Sequence, residues 1–176
     1  KCIEADPNYA ECYHELGTVM LFLDSEQDAL DNFTKAVQHR PSIGYFYPPL
    51  ADLYQRLDYW DQAEGVLKGG IDVVKDDDKA KVVMYQMLAP VYQQKNNMDA
   101  MIQTLEAANK LGGAEHPEIL FNLGSSYAKL NPPKKTQALQ MLKNFFARAC
   151  KSGKSEKYKE QCEQTNALIA QLGGNI

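Results

Sequence analysis

Four dipeptides set the plan of this chain: Leu16-Gly17, Leu50-Ala51, Leu88-Ala89 and Leu123-Gly124, at intervals of 34, 38 and 35 residues. A bulky residue stands three before each leucine (Tyr13, Tyr47, Tyr85, Leu120), and another stands four after it (Met20, Tyr54, Tyr92, Tyr127). A second pair follows each anchor: Ala29/Phe33, Ala63/Leu67, Met101/Leu105 and Ala138/Leu142. Spacings of three and four place such residues on one face of a helix. Two helices cross closely only where small residues sit at the contact, as Gly17 and Ala29 do in the first unit. Each unit therefore reads as a helix–turn–helix that cannot bury its apolar face alone and must stack on its neighbours.

The order Tyr13, Leu16-Gly17, Met20, Ala29, Phe33, Pro41 resembles the tetratricopeptide (TPR) repeat, a helix–turn–helix unit of about 34 residues, and the resemblance covers nearly the whole chain. It implies an all-α, right-handed superhelical solenoid. Residues 1–7 would end a preceding repeat, residues 8–154 would hold four units (about 8–41, 42–78, 79–114 and 115–151), and residues 155–176 a capping helix and tail. Cys2 falls in the slot of Ala36 and Pro7 in that of Pro41, so the chain reads as the C-terminal fragment of a longer TPR protein.

The departures from a strict period carry expectations of their own. Four extra residues lie between the second and third anchors, around Gly69-Gly70 and Asp76-Asp77-Asp78. They are expected to lengthen the second helix of that repeat by about a turn. The aspartates read as a polar turn with an N-cap rather than a calcium loop, since the ligand series and terminal Glu are missing. Pro48-Pro49 fits a helix that starts late, near Gly44 or Tyr45, whereas Pro90 should free the Gln86 carbonyl and bend its helix. Pro132-Pro133 marks a longer turn in the fourth repeat, and Gly112-Gly113 a helix C-cap. A last helix over residues 156–172, with the apolar stripe Tyr158, Cys162, Ile169 and Leu172, would cover the open end of the stack before Gly173-Gly174.

Composition excludes several functions. With 44% hydrophobic and 24% charged residues the chain is that of a globular protein, and the net charge of −4 argues against nucleic acid. No apolar run reaches the ~18 residues of a membrane helix, so no membrane insertion is expected. His14, His39 and His116 have no nucleophile or carboxylate at a motif spacing, and there is no phosphate loop or dinucleotide fingerprint. No enzyme activity, no cofactor and no metal are expected. Cys2, Cys12, Cys150 and Cys162 show no zinc spacing. A bridge from Cys150 to Cys162 across Lys151-Ser152-Gly153-Lys154-Ser155 is geometrically open, but reduced thiols in a cytoplasm are the simpler expectation, with a periplasmic or exported setting as the alternative.

The resemblance implies a non-catalytic protein–protein interaction module, a scaffold or adaptor whose first helices line a concave groove. The residues left over by the buried stripe should face it: Glu11, His14, Glu15, Thr18 and Phe22; Tyr45, Pro49, Asp52 and Arg56; Val83, Gln86, Met87, Pro90 and Gln94; Phe121, Asn122, Ser125 and Lys129. The apolar members Phe22, Tyr45, Met87 and Phe121, with an acidic entrance of Glu11, Glu15 and Asp52, suit an amphipathic helix or extended segment carrying apolar and some basic residues. The opposing reading packs the large residues on neighbouring repeats and leaves the acids solvated. TPR domains that clamp the carboxylate terminus of chaperones carry Lys and Asn where this chain has His14, Thr18, Pro49, Val83 and Met87, so no such ligand is expected. Two alternatives stand beside the groove: self-association through the convex face or repeat ends, and a docking or regulatory module of a larger enzyme.

Overall fold

The computed structural model describes residues 2–113, 115–151 and 156–175, and among these it is helical with no strand. The chain divides into two compact units, Lys1–Lys95 and Asn96–Ile176. No helix among the described residues is long and apolar enough to cross a membrane.

The first unit runs α1 (Cys2–Ala5), α2 (Ala10–Phe22), α3 (Glu26–His39), a 3-10 turn (Gly44–Phe46), α4 (Tyr47–Arg56), α5 (Trp60–Val73) and α6 (Asp78–Gln94). Gly17 of α2 lies where a Cβ would come within 2.8 Å of the Phe33 ring, so the small residue of the anchor is what lets α3 seat its phenylalanine. Phe33 joins Ala29, Leu50 and Leu53 in one cluster, while Ala10, Ala36 and Phe46 form another. The turns after α2 and α4 follow one recipe. Asp24 and Asp58 take φ of 56° and 60°, and the amides of Ser25 and Tyr59 reach back to the carbonyls of Met20 and Tyr54 at 2.9 and 2.8 Å. That backward bond across a left-handed residue closes a helix end.

Pro48 and Pro49 occupy the first positions of α4, where their missing N–H groups cost nothing, and the 3-10 turn supplies the late start. The four-residue excess does not go where expected. α5 has 14 residues, the same as α3, whereas α6 has 17 against 13 in α2. The extra turn therefore belongs to the first helix of the next pair, because the Asp77 side chain accepts from the Ala80 amide at 2.9 Å and starts α6 early. Pro90 lies inside α6, and near it the Met87 carbonyl takes a side-chain donor, Gln55 Nε2 at 3.1 Å. At the end of the unit Lys95 Nζ bridges Asp61 (2.7 Å) and Glu64 (2.5 Å), which raises its pKa, through Asp61 first.

The second unit runs α7 (Met98–Gly112), α8 (Pro117–Lys129), α9 (Lys135–Phe145), a π-turn (Phe146–Cys150) and α10 (Lys159–Gln171). Gly124 repeats the role of Gly17: a Cβ there would stand 2.8 Å from Leu142. α7 ends at Gly112 with Gly113 as its cap, though Gly113 is right-handed at φ −59°. The longer connection expected around Pro132-Pro133 separates α8 from α9, and Gly173, at φ +79°, follows α10. α10 is held by Tyr158, Ile169 and a residue absent from the expected stripe, Thr165, which is fully buried. Tyr158 packs into a cluster with Leu120, Phe145 and Ala149.

The expectation of reduced thiols is corrected. Cys2 is bridged to Cys12 and Cys150 to Cys162, with Cα–Cα separations of 6.0 and 5.8 Å, inside the disulfide range. Cys150 ends the π-turn and Cys162 lies in the first turns of α10, so docking of Tyr158 brings the two sulfurs together. Residues 152–155 of the intervening turn lie outside the described residues.

Candidate functional site

In the first unit α2 presents Glu11, His14, Glu15, Thr18 and Phe22, one turn apart along its length. Glu11 is half-buried because Arg40, at the end of α3, reaches across to its Oε1 at 2.6 Å. His14 sits in an aromatic box: its ring lies 5.3 Å from Phe46, 5.7 Å from Phe33 and 5.2 Å from Tyr45, which it meets edge-on. Burial lowers the His14 pKa, against an opposing pull from Glu15. Tyr45 keeps half of its surface in solvent, and its pKa is raised first by desolvation and then by the Glu11 charge, with Glu15 and Tyr9 adding to it and Arg40 opposing. Tyr9, Glu11, His14, Glu15, Arg40 and Tyr45 thus form one acidic and aromatic surface.

Other expected residues have different fates. Thr18 spends its hydroxyl on the His14 carbonyl of its own helix, 3.1 Å away. Arg56 is tied to Glu26 at 3.1 Å. Asp52, Pro90 and Gln94 are exposed, Pro49, Gln86 and Met87 are half-buried, and Val83 is at the edge of exposure. Phe22 is 89% exposed and adjoins Val19 and Leu23, so it stands with an apolar end patch rather than with Tyr45.

In the second unit α8 carries Phe121, Asn122, Ser125 and Lys129. Phe121 is half-buried against Phe145, ring centroids 5.3 Å apart, which is the packing role weighed against a groove role. Asn122 and Lys129 are exposed, and Ser125 has a buried hydroxyl without a hydrogen-bond partner. Glu118 holds Tyr158 (3.0 Å, to Oε2) and His116 (3.1 Å, to Oε1). It was missed, although it occupies the slot of Glu11, Tyr45 and Val83. Arg40 and Tyr9 were missed as well; both flank the helices whose spacing guided the reading. Among the described residues no group of three or more His, Cys, Asp or Glu could hold a metal ion.

Residues 82–111 match a family model of the tetratricopeptide repeat. Among solved structures the chain is similar to MamA, at 19% identity and a TM-score of 0.69, over 90% of this chain and 85% of that one. It is also similar to YrrB, a TPR protein with an unusual peptide-binding site, at 17% identity and TM-score 0.68 over 97% and 88% of the two chains. A third likeness is MamA 41-end from Desulfovibrio magneticus RS-1, at 12% identity and TM-score 0.65 over 94% and 93%. No curated protein matches the chain in sequence. At these identities the likeness speaks for the fold, which is the all-α repeat solenoid that the anchors imply. With the repeated anchors, the family match over residues 82–111 and this shared fold, the chain carries a tetratricopeptide repeat across α6 and α7 and has the fold of the TPR solenoids.

Proposed function

We propose that the chain is a non-catalytic scaffold of four TPR units (about 8–41, 42–78, 79–114 and 115–151) with residues 155–176 as a cap. In this reading the first-helix faces bind a segment of a partner protein. Unit 1 would contribute Glu11, Glu15, Tyr45, Asp52, Val83 and Met87, and unit 2 its own set of Asn122, Ser125 and the exposed part of Phe121. The single observation that carries the reading is the surface around Tyr45: a half-exposed aromatic ring set among carboxylates, on a helix face that neighbouring repeats leave uncovered. Such a face suits a segment with apolar anchors and basic residues, and a peptide-binding site is stated for YrrB.

The two disulfides support an oxidising compartment, periplasmic or exported, over a cytoplasm. A second reading has an observation of its own: Val19, Phe22 and Leu23 are 50%, 89% and 63% exposed on one end of α2 and its turn, which favours association through a repeat end. Affinity capture with the intact chain beside a Tyr45→Ala/Val83→Ala variant tests the first reading. A partner held by the intact chain and lost by an equally stable variant supports it. A partner held equally by both removes the face, and loss only on Phe22→Ser transfers binding to the repeat end.

A further inference from the structure

We propose that α10 is a redox-sensitive cap: a dithiol that reduces the Cys150–Cys162 bridge undocks this helix and uncovers the apolar end of the second unit, while α7, α8 and α9 stay folded. The inference builds on the cap reading of residues 155–176 and adds what fastens the cap. Its basis is how little else holds the helix. α10 has 13 residues, of which only Thr165 and Ile169 are buried. Each helix from α2 to α9 buries three or more. One of the two residues on α10 works against docking. The Thr165 hydroxyl is buried with no hydrogen-bond partner, so it gives up water and gains nothing in return. No side chain caps the N-terminus of α10, and a free helix of this length is marginal in water. Just before it, Tyr158 adds a buried ring, edge-on to Phe145 at 5.8 Å, and a hydroxyl that donates to Glu118 at 3.0 Å. Against these contacts stands the entropy of ordering the whole segment.

The bridge decides that balance. It ties the first turns of α10 to Cys150 at the end of the π-turn, 12 residues back, and so removes entropy from the undocked state. Cys150 and Cys162 are half-buried, unlike the buried Cys12, which puts the bridge at the edge of the core and within reach of a small dithiol. One thiolate of the dithiol attacks a bridge sulfur, forming a mixed disulfide and freeing one cysteine. The second thiol then closes the dithiol into a ring and frees the other cysteine. Two electrons and two protons pass to Cys150 and Cys162, and the dithiol leaves as a cyclic disulfide. Once α10 opens, Leu120, Phe145 and Ala149 lose the cover of Tyr158, beside the half-buried Phe121 and Met141. All of these residues lie in the second unit.

The test is hydrogen–deuterium exchange of the full chain, oxidised and in dithiothreitol, beside a Cys150→Ser/Cys162→Ser variant, with complete reduction confirmed by thiol titration. In the oxidised chain the amides of Lys159–Gln171 should be protected. Dithiothreitol should speed their exchange about a hundred-fold and leave the amides of α8 and α9 close to their oxidised rates. The variant should show the open α10 without reductant. Dithiothreitol should not change α10 in the variant, which separates this bridge from the one between Cys2 and Cys12. An unprotected α10 in the oxidised chain would remove the cap itself. Protection kept after reduction would preserve the cap and overturn its redox control. Equal loss along α8, α9 and α10 would also overturn the inference, since the bridge would then stabilise the whole unit rather than a cap.

Discussion

The hydroxyl of Tyr47 donates to the carbonyl oxygen of Pro41, 2.6 Å away and six residues back. Tyr13 repeats the bond one helix pair earlier, to Pro7 at 2.9 Å. In these two first helices the tyrosine three before the anchor leucine thus ties down the proline-marked approach to its helix, and the tyrosine and proline are parts of one device. Tyr47 is also nearly fully buried, and its ring passes so close to Gly70 that a Cβ there would lie 2.6 Å from it.

Tyr47→Phe keeps the ring and removes the bond, so it should cost about 1 kcal/mol in urea unfolding with an unchanged m-value. Tyr13→Phe should cost less, because Tyr13 is only half-buried and water can replace the tyrosine hydroxyl. Equal stability of wild type and Tyr47→Phe would show that the bond contributes nothing.

Tyr127 gives a pH dependence of known sign. Burial first, and then its hydrogen bond to Glu106, push its pKa from 10.0 to about 12. The unfolded chain loses this proton near pH 10 while the folded one keeps it, so the contribution is complete below that pH and lost as pH rises through about 12. Between about pH 9 and about pH 11 the wild type should lose more stability than Tyr127→Phe. Parallel pH profiles for the two proteins would contradict the assignment.

The bridge between Cys150 and Cys162 spans 12 residues and joins the π-turn to α10. Replacing both cysteines by serine should lower stability by about 2–4 kcal/mol. A dithiol reductant should destabilise the wild type by more than it destabilises this variant, which retains only the Cys2–Cys12 bridge. Identical responses to reductant would mean that the second bridge does not form.

The helices were legible because a leucine beside a Gly or Ala recurs in every first helix, buried at Leu50, Leu88 and Leu123 and half-buried at Leu16, and the small neighbour admits the crossing helix. The destination of the four-residue excess was not legible. Lengthening α5 or starting α6 early consumes the same residues, and only the Asp77 cap on Ala80 decides between them. Gly70 lies in the same place for a different reason, the close approach of Tyr47 and Met84 to α5. Phe121 occupies the slot of His14, yet Phe145 stands beside it in space and draws it half into the core. The Cys2–Cys12 bridge escaped because its partners meet only once α1 docks, and the Cys150–Cys162 bridge, open in the sequence, is decided only by the docking of α10.

Hydrogen–deuterium exchange of the full chain, alone and with its captured partner, tests the central claim most directly. The account predicts protection on binding at residues 11–18, at Gly44–Phe46 and along α4, with the outer faces of α3 and α5 unchanged. Protection centred on Val19, Phe22 and Leu23, or on α3 and α5, would contradict it.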